Sequence, residues 1–193
     1  MVFEQLYSID FLTKNPWYAL LLGIGYSVFG IAIAIFTFPK DPALVAVAII
    51  SILLLPSLYK FSAKEESVEG REKKFTFKEL LKDNRSFLLV YLLIFIGVML
   101  TFAFFAIALP SLAGNHLFKT QLEILYGTGN VAGNATFTTG LFTDIFFNNF
   151  KVLLICFLIS LIAGNGAIFL IVWNGSVWGT IFGVTAWNCR RAS

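Results

Sequence analysis

The chain has 193 residues, of which 58% are hydrophobic and only 13% charged, with 14 Lys and Arg against 11 Asp and Glu for a formal net charge of +3. A water-soluble domain of this size has too little interior to hide so much apolar surface, so the composition excludes that class and points to an all-α polytopic membrane protein. The positive balance does not imply nucleic acid as a partner, because most of the basic residues sit in one stretch beside acidic ones.

Residues 1 to 14 carry Glu4 and Asp10 among Val2, Phe3, Leu6, Tyr7, Ile9, Phe11 and Leu12, a pattern expected of an interfacial helix rather than a cleavable signal peptide. Trp17 to Phe38 has no charge and is long enough to cross a hydrocarbon core of about 30 Å, making the first span. Pro39, Lys40, Asp41 and Pro42 form a polar break. Ala43 to Tyr59 follows as a shorter second span, with Pro56 expected to kink or stop it.

Lys60 to Arg85 holds eight of the fourteen Lys and Arg and six of the eleven acids, so it belongs outside the bilayer. Phe75, Phe77, Leu80 and Leu81 alternate there with Lys73, Lys74, Lys78, Glu79 and Lys82, which fits either a surface helix against headgroups or a solvated charged loop. Phe87 to Leu112, closed by Pro110, is the third span. The connection from Ala113 to Asn149 is polar but nearly uncharged, with a helical patch that places Phe118, Leu122 and Leu125 on one side. By the positive-inside rule the 60–85 loop and the N-terminus are cytoplasmic and the 113–149 loop is outside, which predicts a multi-pass protein of the plasma membrane.

Phe150 to Trp173 reads as a fourth span returning to the cytoplasmic side, begun after the helix-capping Asn148 and Asn149 and ended by an Asn174-Gly175 turn. Ser176 to Cys189 is then only about 21 Å of helix, too short to cross before Arg190 and Arg191. It is expected to lie at the cytoplasmic interface, to re-enter part-way, or to belong to a chain that continues.

Chemistry-bearing signals are sparse. Apart from Lys151, the second residue of the fourth span, the expected spans contain no Asp, Glu, Lys, Arg or His, which argues against an ion-coupled pump. His116 is the single histidine and cannot anchor a zinc site without partners, and Cys156 and Cys189 suggest neither a disulfide framework nor a thiolate site. Glu123 and Asp144 could in principle pair as carboxylates, but no feature positions them. Gly127, Gly129 and Gly133 imitate a phosphate loop with the wrong spacing and context, and Asn134-Ala-Thr136 is a weak glycosylation acceptor. We expect no enzymatic activity, cofactor or metal.

The strongest packing signal is Gly175-x3-Gly179-x3-Gly183, three glycines on one helix face, suited to internal packing or to self-association. Asn165, between Gly164 and Gly166, places an amide in the fourth span, where it would bond a neighbouring helix or a solute.

Asn148-Asn149-Phe-Lys-Val-Leu, then Gly164-x-Gly166-Ala-Ile-Phe, then Trp173-Asn174-Gly175-Ser-Val-x-Gly179 resembles the hallmark segment of the stage II sporulation protein M family, especially its archaeal branch. Asn15-Pro16-Trp17, Gly23, Tyr26 and Gln121 are similar to that branch too, and the resemblance extends to about Gly183. It implies a non-enzymatic membrane component. Bacterial members assist a cell-wall hydrolase complex during engulfment, and archaeal members have no settled role. Relatives continue with further helices where this chain reads Trp187-Asn-Cys-Arg-Arg-Ala-Ser. The sequence thus suggests a scaffold or assembly component whose partners are membrane lipids and other membrane proteins or copies of itself. A passive channel or transporter for a small uncharged or lipidic solute is the alternative.

Overall fold

The structure is a computed structural model that describes residues 12, 14–39, 42–69, 85–109, 114, 116–127, 140, 143, 146–147, 150–155, 157–158 and 168–192. Among these residues there is no strand. Five helices organise them: α1 (Trp17–Thr37), α2 (Pro42–Glu69), α3 (Arg85–Ala108), α4 (Lys119–Gly127) and α5 (Ile168–Ala192). Segments of α1, α2, α3 and α5 are each long and apolar enough to cross a membrane, so the chain is an all-α polytopic membrane protein.

Local chemistry explains the first hairpin. Helix α1 starts where the carbonyls of Asn15 and Pro16 accept Tyr18 N–H and Ala19 N–H, and it closes with Phe38 N–H on Ala34 O. Pro42 is the first residue of α2, a position where its missing N–H costs nothing and its fixed φ suits a helix. The short link makes the two helices antiparallel, and they meet where Gly30 lies against Ala46 and Ile50. Ala46, Val47, Ile50, Leu54 and Leu58 carry the buried face of α2.

Pro56 neither stops α2 nor marks its end, contrary to the expectation from sequence. The helix runs on to Glu69. A mid-helix proline costs about 3 kcal/mol in isolation. Leu54 and Leu58, buried on either side of it, hold the helix axis by packing, and bundles of this kind tolerate proline for that reason. Beyond Lys60 the residues Lys64, Glu65 and Glu66 are good helix formers, so the first ten residues of the expected 60–85 loop are helical instead.

Helix α3 ends at Ala108, four residues short of the expected Leu112, with Leu109 N–H on Phe105 O as its last turn. It crosses α1 where Gly23 and Gly97 lie backbone to backbone: a methyl on Gly97 would stand 2.5 Å from Leu20 O and 3.1 Å from Gly23 Cα. No side chain separates the two helices at that level.

The largest departure from the sequence reading concerns the last segment. Asn174-Gly175 does not end a helix; α5 is continuous from Ile168 to Ala192, so Ile168–Trp173 and Ser176–Cys189 belong to one span instead of a fourth span and a short interfacial piece. Two contacts overrule the local preference for a turn. Asn174 spends its amide on Leu170 O four residues back at 2.7 Å, and Gly175 is pressed against Phe95 O and Val98 of α3. Gly179 then meets Met99, Phe102 and Ala103, and Gly183 meets Ala103 and Ala106. Since residue numbers rise together along both helices, α3 and α5 are parallel.

Parallel packing places Ile168 at the end of the bundle where Arg85 lies, and Cys189, Arg190 and Arg191 at the opposite end. That corrects the expectation of a cytoplasmic interface shared with the 60–85 loop. The expected interfacial helix at 1–14 lies outside the described residues except Leu12 and Lys14, both helical. Of the 113–149 loop, the structure describes chiefly α4 and its approach.

Candidate functional site

Helix α4 decides where polar chemistry can occur. Phe118 and Leu122 are buried, and the Phe118 ring lies 5.8 Å from that of Phe102 on α3. The chain therefore turns back into the bundle after α3 ends. The hydrogen bond Phe118 N–H to Gly114 O and that of Leu122 N–H to Phe118 O shape this turn. His116 anchors the approach to α4, its Nε2 lying 2.5 Å from Pro39 O in the α1–α2 link.

Gln121 shares the inward face of α4 with Phe118 and Leu122, and it is 0% exposed. Its Nε2 donates to Ser176 Oγ at 3.3 Å, and the Ser176 hydroxyl donates in turn to Trp173 O at 2.7 Å. Gly175 and Gly179, which bracket Ser176, face Phe95 to Ala103, the middle of the Leu88–Ala108 span. At 1.5 Å per residue, Ser176 lies roughly 13 Å below the end of α3. A neutral amide and a hydroxyl are thus paired near mid-span.

One turn along α5, Thr180 stands on the same face as Ser176 and is also 0% exposed. Among the described residues Gln121 Oε1, Thr180 Oγ1 and Ser27 Oγ are buried polar atoms without a hydrogen-bond partner. The other buried hydroxyls near the crossings are satisfied locally, Ser51 on Val47 O at 2.6 Å and Thr101 on Gly97 O at 2.9 Å. The opposite face of α4 carries Lys119 and Glu123, 3.9 Å apart and each 64% exposed. A charged pair is costly in hydrocarbon, so that face of α4 belongs to water or headgroups.

The residues singled out from sequence divide sharply. Trp173, Asn174, Gly175, Gly179 and Gly183 all lie on α5, the glycines buried in the seam with α3. Asn148, Asn149, Gly164, Asn165, Gly166, Asn134, Asp144 and Cys156 lie outside the described residues, as does the glycine loop beyond Gly127. Cys189 is an exposed free thiol. Among the described residues no group of three His, Cys, Asp or Glu side chains could hold a metal ion.

Gln121, Ser176 and Thr180 were not legible as a site. The available signal was Gln121 falling on the same side of the helical patch as Phe118 and Leu122, and Ser176 and Thr180 each following a glycine of the Gly175–Gly179 pair. Comparison of the chain with protein-family models, curated proteins and solved structures finds no match in any of the three.

Proposed function

We propose that this membrane protein is a non-enzymatic scaffold or assembly component of a membrane complex. The observation that carries the reading is the course of α2, which leaves the apolar layer near Lys60 and continues as one helix to Glu69. The first ten residues of the charge-dense 60–85 segment are thereby held on a continuous helix that springs from a bundle tied together by glycine contacts. Such a mount gives a partner a fixed bearing to the membrane. The resemblance to the stage II sporulation protein M family points to the same class of role.

The proposed orientation places the N-terminus and the 60–85 segment in the cytoplasm of a cell bounded by this membrane. Exposed Lys14, Lys60 and Arg85 mark that end of α1, α2 and α3, where anionic headgroups favour cations.

The test is affinity purification from the native host in gentle detergent, with mass spectrometry of what co-purifies, for the wild type and for Lys73→Glu/Lys74→Glu. A reproducible partner that the double substitution weakens supports the reading; a chain that always purifies alone sinks it. Gly179→Leu is unsuitable as the probe, because Gly179 is buried against α3 and the change would damage the fold itself.

A second reading, passive permeation of a small uncharged solute, is favoured by the Gln121–Ser176 pair on a helix that turns back to mid-span. Liposomes carrying the purified protein would then pass glycerol faster than protein-free liposomes, and equal rates would remove it.

A further inference from the structure

Two of the three unpartnered buried polar atoms among the described residues, Gln121 Oε1 and Thr180 Oγ1, lie on α4 and α5, while the third, Ser27 Oγ, lies on α1. Buried polar atoms are almost always hydrogen-bonded, because leaving one unpaired costs about 1–3 kcal/mol. Gln121 Oε1 is an acceptor without a donor, and Thr180 Oγ1 carries a hydroxyl proton without an acceptor. Ser176 links them in space: it accepts from Gln121 and precedes Thr180 by one helical turn on α5. Its own proton is committed to Trp173 O, so it cannot satisfy Gln121 Oε1.

We propose that Gln121, Ser176 and Thr180 form a binding site for the hydroxyl group of a small neutral molecule. The chemistry is complementary. A hydroxyl donates one proton, which Gln121 Oε1 takes, and accepts one, which Thr180 supplies. Among the described residues a cation would find a single amide oxygen and hydroxyls with no carboxylate, and an anion would find no buried Lys or Arg, so a neutral guest is selected. The guest is small because all three side chains are covered by packing. Water and a small polyol such as glycerol present the same group. The site is independent of the assembly role and rests only on the geometry of α4 and α5.

Gln5 and Gln121 are the two glutamines of the chain, so selective 15N-glutamine labelling gives two side-chain amide signals, with Gln5→Glu identifying the second. Glycerol is titrated into the detergent-solubilised protein while the Gln121 signal is followed, and magnetisation transfer from water to the same amide is recorded without glycerol. A saturable shift identifies a polyol guest; transfer from a long-lived water with no glycerol shift identifies water. Either response is expected to weaken about tenfold in Thr180→Val, the loss of one hydrogen bond, and to persist in Thr180→Ser. Retained Gln121 signal dispersion and an unchanged melting temperature establish that Thr180→Val is folded. If Thr180→Val fails to fold, Thr180→Ala is read in its place. Absence of both responses in the wild type, or equal responses in wild type and folded Thr180 variants, overturns the proposal.

Discussion

The α3–α5 seam and the α1–α2 hairpin are held together in opposite ways. Along the seam, Gly175, Gly179 and Gly183 bring α5 to the backbone of α3, so that there is no room for an added carbon. In the hairpin, the one close glycine, Gly30, meets chiefly the Ile50 side chain instead of backbone, and Ile50, Leu54 and Leu58 give α2 a buried face of branched side chains. The seam is thus sensitive to what is added and the hairpin to what is removed. Lipid is as apolar as these side chains, so burial from water drives neither contact, and what remains is close packing.

The sharpest way to break this contrast is Gly179→Leu, whose side chain would meet Met99 O and Phe102. It should cost upwards of about 3 kcal/mol and abolish a monodisperse folded species in size-exclusion chromatography. Gly183→Ala, meeting Ala103 O and Ala106 Cβ on α3, should cost about 2–3 kcal/mol in a reversible unfolding assay. Leu54→Ala in the hairpin should cost about 1–3 kcal/mol, below the usual price of a water-soluble core because only contacts are lost. A larger loss for Leu54→Ala than for Gly183→Ala would contradict the comparison. Gly25→Ala, with nothing within 4 Å, is the control and should stabilise α1 by up to about 1 kcal/mol through backbone entropy.

Parallel packing of the seam has its own test. With Cys156 replaced by serine, a membrane-impermeant maleimide should label Cys189 from one side of the membrane and a Lys60→Cys variant from the other. Labelling of both from the same side would refute the parallel arrangement of α3 and α5.

Much of the architecture was legible before any coordinates. Uncharged runs such as Trp17–Phe38 have no folded alternative to a helix that satisfies its own backbone in lipid, and Lys60–Arg85 is too charged to be anywhere but outside. The same local reasoning misplaced the end of α2 and divided α5, because Pro56 and Asn174-Gly175 are true breakers only where nothing packs against them.

Composition and charge pattern alone therefore determined that this is an all-α membrane protein and where its charged segment leaves the bilayer, since desolvation of charge and backbone is a local cost that each residue meets by itself. Tertiary structure decided the direction of α5, the use of its three glycines and the meeting of Gln121 with Ser176. Those depend on which helix arrives as neighbour, and contacts between residues 55 positions apart leave no periodicity in the sequence to announce them.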